Sequence, residues 1–126
     1  MNGRCRGQSL VEFALIVPIF LVVIIGIFDA GRAIYAYNTV ANAARVAARV
    51  AIVDQDPATV RSAALDEGVG LGLSASDVTL AACSTLECKY TVTVNYSFNP
   101  VTPLIGQLFD PTITSTAEMR VEFPNP

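Results

Sequence analysis

Gly7-Gln8-Ser9-Leu10-Val11-Glu12, followed by an uncharged run from Phe13 to Phe28, decides how this chain is organised. A carboxylate at the lip of an apolar segment of membrane length is expensive to hold there, so Glu12 marks a functional position. Two cations, Arg4 and Arg6, stand upstream, and beyond Phe28 the sequence has an ordinary soluble composition. At ~1.5 Å per residue, Phe13 to Phe28 covers about 24 Å, short of a ~30 Å hydrocarbon core, whereas counting from Gln8 gives about 31 Å. The helix therefore spans only if Glu12 lies inside or at the edge of the apolar layer. Protonation, snorkelling or a partner charge must then neutralise it. Pro18 is tolerated in such a helix, with its freed carbonyl satisfied elsewhere or with a kink.

Arg4 and Arg6 set the N-terminus on the cytoplasmic side and everything after Phe28 on the outer side. An ordinary secretory signal would instead need a small-residue cleavage site after the apolar run. Asp29-Ala30-Gly31-Arg32 supplies Ala30 and Gly31 but surrounds them with charge, which makes a poor site. Asp29 and Arg32, three apart, are expected to form a surface or interface pair worth little by itself.

From Asp29 to Val53 there is no proline and alanine recurs densely. Asn38, Asn42, Arg45 and Arg49 fall on one helical face, and Ala36, Val40, Ala43, Ala44, Ala47 and Ala51 line the opposite one. Such a small-residue stripe admits close approach of another backbone. Two covers fit it equally: the chain's own sheet, or a neighbouring subunit. Helix from Gln8 to Val53 would run about 69 Å. Asp54-Gln55-Asp56-Pro57 stops it and starts a second helix, with Asp56 as N-cap and Pro57 at the first helical position. That helix buries Val60, Ala64 and Leu65 and ends at Gly68 and Gly70.

Past Ser74 the period becomes two. Asp77 to Ala82, Tyr90 to Phe98 and Ile113 to Phe123 read as strands. Cys83 and Cys88 flank Ser84-Thr85-Leu86-Glu87, so a disulfide between them would staple a hairpin in an oxidising compartment, with a modest gain because the loop is short. Pro100 to Pro111 is a structured loop whose Leu104, Ile105, Leu108 and Phe109 need cover, from the sheet's own core or from a partner. The expected fold class is α+β. It has a basic leader over 1–7, a membrane segment over 8–28, a continuation of that helix over 29–53, and an outer domain over 54–126. The outer domain holds a short helix and an antiparallel sheet of about three strands, too small to stand without the long helix across its open face.

Composition narrows the function. The chain has 126 residues and a formal charge of -3, with a mean hydropathy of +0.50 that comes mainly from the N-terminal run. Losing Arg4 and Arg6 with the leader leaves 6 basic against 11 acidic residues, a net -5. So acidic a chain lacks the Lys/Arg face that nucleic acid requires. Histidine is absent, which removes the commonest general base and the histidine-dependent zinc sites. No nucleophile–base pair, phosphate loop or metal set is legible, so neither a cofactor nor a small-molecule substrate is expected.

Gly7 followed by Glu12 at the head of the apolar helix is similar to the processing site of type IV prepilins. The longer stretch from Gly7 to Pro18, with Gly31-Arg32 and Asn42-Ala43-Ala44-Arg45, resembles the TadE-like pseudopilins of tight-adherence (Flp) pilus systems. Thr112 to Glu122, with Ala117-Glu118-Met119-Arg120, resembles the closing strand of that family, so the resemblance covers most of the chain. It implies that a membrane prepilin peptidase cuts after Gly7 and frees the amine of Gln8, making Glu12 the fifth residue of the mature chain. It also implies that Glu12 meets the freed amine of a neighbouring subunit, a pairing that offsets much of the desolvation of both charges. Implied partners are membrane lipid, the peptidase, other pilins or pseudopilins and the Tad assembly platform. The implied location is the bacterial inner membrane, with possible incorporation into an extracellular pilus used in adherence. Gln8 stands where many type IV pilins carry phenylalanine. The outer domain exceeds the Flp major pilins, which are little more than the helix, so the resemblance is to a minor pilin. The rival reading is an unprocessed single-pass scaffold or adaptor of a secretion complex.

Overall fold

The computed structural model describes residues 5–82, 89–102 and 111–121, with side chains from Gly7 onward. Helix α1 (Cys5–Val53) is one unbroken helix of 49 residues, about 73 Å long at ~1.5 Å per residue. It begins before Gln8, where the sequence placed the start, because nothing between Cys5 and Gln8 stops a helix: no proline, and no side chain suited to capping. Pro18 lies inside it. A break comes only at Asp54, and α2 (Pro57–Glu67) starts three residues later. The Asp56 carboxylate accepts from the Thr59 N–H at 3.3 Å and from its hydroxyl at 3.2 Å, while Pro57 occupies the first turn, as the sequence predicts. Gly68 ends α2, its N–H donating to the Ala64 and Leu65 carbonyls.

Two short 3-10 turns, Val69–Leu71 and Ala75–Asp77, lead into the sheet. Between them Gly72 adopts φ 66°, a left-handed backbone that suits glycine. The strands β1 (Val78–Ala81), β2 (Lys89–Ser97) and β3 (Thr112–Arg120) form an antiparallel sheet in the order β1-β2-β3. The fold is α+β, with the expected long helix, one short second helix and a three-stranded sheet. The third strand stops at Arg120, short of the expected Phe123. Cys83, Cys88 and the apolar loop positions Leu104, Ile105, Leu108 and Phe109 lie outside the described residues.

Register explains the core. β2 and β3 pair from Lys89↔Arg120 to Ser97↔Thr112, and β1 pairs with β2 from Val78↔Val94 to Ala81↔Thr91. With side chains alternating between faces, this puts Val78, Tyr90, Val92 and Val94 on one buried face. Threonines take the other, where the Thr93 and Thr116 hydroxyls lie 3.1 Å apart and Thr114 donates to Asn95 at 2.8 Å. The buried face packs on the outer half of α1 and on Val60 and Ala64 of α2. A sheet of three strands gains its stability from this cover.

Candidate functional site: the membrane helix and its junction with the outer domain

α1 has two regimes. Its inner part is apolar and long enough to cross a membrane, with large side chains exposed from Leu10 to Phe28. That surface needs a non-aqueous cover, since an apolar patch of this size is not left in water. At its head Gly7 and Gln8 are exposed and already helical. The Gly7–Gln8 bond therefore lies in the first turns of α1, where the N–H groups lack intrahelical acceptors. Glu12 is exposed one turn further on, and the Gln8 side-chain amide donates to its carboxylate at 3.4 Å. That is a long contact with a neutral group, so Gln8 does not balance the carboxylate's charge.

The outer part of α1 is buried on one face. Ala36 is 1% exposed, and Val40, Ala44, Ala47 and Ala51 are fully covered. Their cover is the chain's own sheet and α2. Of the two covers that the sequence allowed, the structure shows this one. Alanine at these positions brings the helix axis close to β2 and β3, which larger residues would push away. The opposite face, with Asn38, Asn42, Arg45 and Arg49, is exposed, and Asn42 donates to the Glu67 carboxylate of α2 at 2.8 Å.

Where the two regimes meet lies a cluster whose extent the sequence did not reveal. Asp29, expected in a surface or interface pair, is 4% exposed. One carboxylate oxygen accepts from the Thr102 N–H at 2.7 Å and the Thr102 hydroxyl at 2.6 Å. The other accepts from the Val101 N–H at 3.0 Å and from Arg32 Nη1 at 3.1 Å. Arg32 is the expected pair, but Asp29 does much more than pair with it. It binds the segment that follows β2 to the helix, one residue beyond the apolar run. The Thr102 hydroxyl, then the Val101 and Thr102 N–H groups and Arg32, hold its carboxyl down at about 2, against a raising effect from burial. Arg32 also donates to the Asn99 carbonyl at 3.3 Å and lies 5.3 Å from the Phe98 ring centre. Phe98 is itself buried and its N–H donates to the Pro111 carbonyl at 3.0 Å, which closes the β2–β3 pairing beside the helix. Gly26, Ala30 and Ala33 of α1 face Phe98, Pro100, Pro111 and Ile113 across an apolar cleft of about 260 Å³.

Among the described residues no group of three or more histidine, cysteine, aspartate or glutamate side chains could hold a metal ion. No curated protein gives a significant match, and no solved structure does either. Residues 7–49 match the family model described as TadE-like protein, a match that suggests a Tad pilus-associated protein. The matched span runs from the glycine ahead of Glu12 through the membrane-length run and Asp29 to the alanine-rich stripe. The whole of that match falls within helix α1.

Proposed function

We propose that this chain is a non-catalytic minor pilin or pseudopilin of a Tad (Flp, type IVc) pilus. A prepilin peptidase cuts it after Gly7. Residues 8–28 hold it in the bacterial inner membrane with the outer domain facing outward, and it then joins the assembling filament. One observation carries this reading: the TadE-like match coincides with a single helix whose inner part exposes an apolar surface and Glu12. A carboxylate exposed on a lipid-facing helix calls for a cation, and cleavage after Gly7 creates one at Gln8 of each neighbouring subunit. Partners are other pilins or pseudopilins and the proteins of the assembly platform.

A second reading has one observation in its favour. The helix starts at Cys5 and the Gln8 amide already reaches Glu12, an arrangement that would serve an unprocessed membrane scaffold. A Glu12→Leu variant separates the two. Under the assembly reading it stays membrane-inserted but is lost from sheared pili, whereas unchanged incorporation into pili overturns the role of Glu12.

A further inference from the structure

Phe98 also lines a second, more enclosed pocket of about 170 Å³, together with Arg32, Tyr35, Ala36, Gly70, Leu71 and Tyr96. Its height along α1 is informative. Arg32 and Tyr35 lie about 6 and 10 Å beyond Phe28, counted at ~1.5 Å per residue. The polar headgroup layer adds roughly 5–8 Å to each side of the hydrocarbon core. If Phe28 marks the end of the membrane segment, Arg32 lies within that layer and Tyr35 just beyond it, so this inference rests on the membrane placement proposed above.

The polar groups fit a phosphate. Between Phe13 and Ala44 the only charged residues are Asp29 and Arg32. The Asp29 oxygens are each occupied by two donors from within the fold, so its charge is answered internally. Arg32 contributes only Nη1 to Asp29 and Asn99. Among the described residues its Nε and Nη2 meet no acceptor, and its side chain is 37% exposed. A guanidinium offers five donors in a planar fork suited to phosphate oxygens. Tyr35 brings a hydroxyl to the same pocket and sits so close over Gly70 that a Cβ there would meet its oxygen at 2.7 Å. Glycine at that position leaves room for the phenol. Tyr96 lines the same pocket, and tyrosines with one apolar and one wet end suit the membrane interface.

We propose that this pocket binds the phosphate of a phospholipid headgroup in the outer leaflet, with Arg32 as the charged ligand and the Tyr35 and Tyr96 hydroxyls as donors. The site would fix the depth and rotation of the outer domain on the membrane before assembly.

The test uses the full chain in nanodiscs of phosphatidylcholine with and without phosphatidylglycerol. Native mass spectrometry counts the phospholipid retained on the ejected protein. Wild type is expected to keep one phospholipid. Arg32→Gln and the double variant Tyr35→Phe/Tyr96→Phe, which keeps both rings, are expected to retain about tenfold less, the scale of a lost charge-assisted hydrogen bond. Lys89→Gln, at the far end of β2, should retain as much as wild type. Because Arg32→Gln also disturbs Asp29, the tyrosine pair decides if that variant misfolds. Undiminished lipid on a folded Arg32→Gln variant or on the tyrosine pair overturns the proposal. So does full displacement by soluble glycerol phosphate, which would make the ligand a free phosphate. A wild-type chain that fails to float with vesicles overturns the membrane placement itself, a failure distinguishable from loss of the headgroup alone.

Discussion

Two carboxylates seventeen residues apart on one helix, roughly 26 Å along its axis, have opposite fates. Glu12 is exposed and takes a long contact from Gln8, whereas each oxygen of Asp29 accepts two donors from within the chain. Glu12 is thus open to a partner and Asp29 is closed to one. For Glu12, loss of a buried ion-pair partner in an assembled filament should weaken the contact by about 3–5 kcal/mol, by analogy with buried pairs in soluble proteins. Glu12→Ala should accordingly insert normally, and pull-down of neighbouring pilins from detergent extracts should fall. For Asp29 the sign follows from its lowered value. Its ionised form favours the folded junction, a contribution complete above the ordinary 3.8 and lost as pH falls through about 2. The amide protons of Val101 and Thr102 should then titrate with a midpoint well under 3.8 in an NMR pH series. A midpoint at or above 3.8 would contradict the four-donor geometry. Asp29→Asn should strip hydrogen-exchange protection from Val101 and Thr102 while leaving Val92 and Val94 protected, because the sheet core does not depend on the junction. Of this cluster only the Asp29–Arg32 pair was legible in the sequence. The other donors are 72 and 73 residues away from Asp29, and no local period marks a threonine that will cap a distant carboxylate.

At the scale of elements, α1 combines an inner part apolar and long enough to cross a membrane with an outer part that is a core helix, by changing the width and chemistry of its apolar surface. Around the inner part that surface is large and continuous, from Leu10 to Phe28, while the outer part narrows to a stripe of small residues against β2 and β3. The stripe leaves no room for growth. Ala44→Leu should destabilise the outer domain by about 1–3 kcal/mol, the usual penalty for overpacking, read as a lowered melting temperature of the full chain in detergent. Asn38→Leu on the exposed face should leave that temperature nearly unchanged. Helical period, the Asp56-Pro57 start and the alternation in β2 and β3 were legible because each rests on neighbours within a few residues. The cover of the alanine stripe was not, since small residues accommodate a sheet and a second helix equally well. Helix α1 extends ahead of Gln8 to Cys5 because a cleavage signal and a helix boundary need not coincide.

The whole molecule is a long apolar stalk that becomes one wall of a small α+β head, pinned where stalk and head meet by Asp29, Arg32 and Thr102. This arrangement lets the head ride rigidly on the helix, so a rotation or vertical shift of the stalk in a filament is transmitted to the sheet. The assembly role proposed above depends on the other end, where the Gly7–Gln8 bond lies within the first turns of α1. Intact-mass measurement of the protein extracted from membranes of cells that carry the prepilin peptidase tests this account most directly. A chain lacking Met1 to Gly7 is the predicted result, with Gly7→Ala retaining them. A working chain that keeps all seven residues would contradict it.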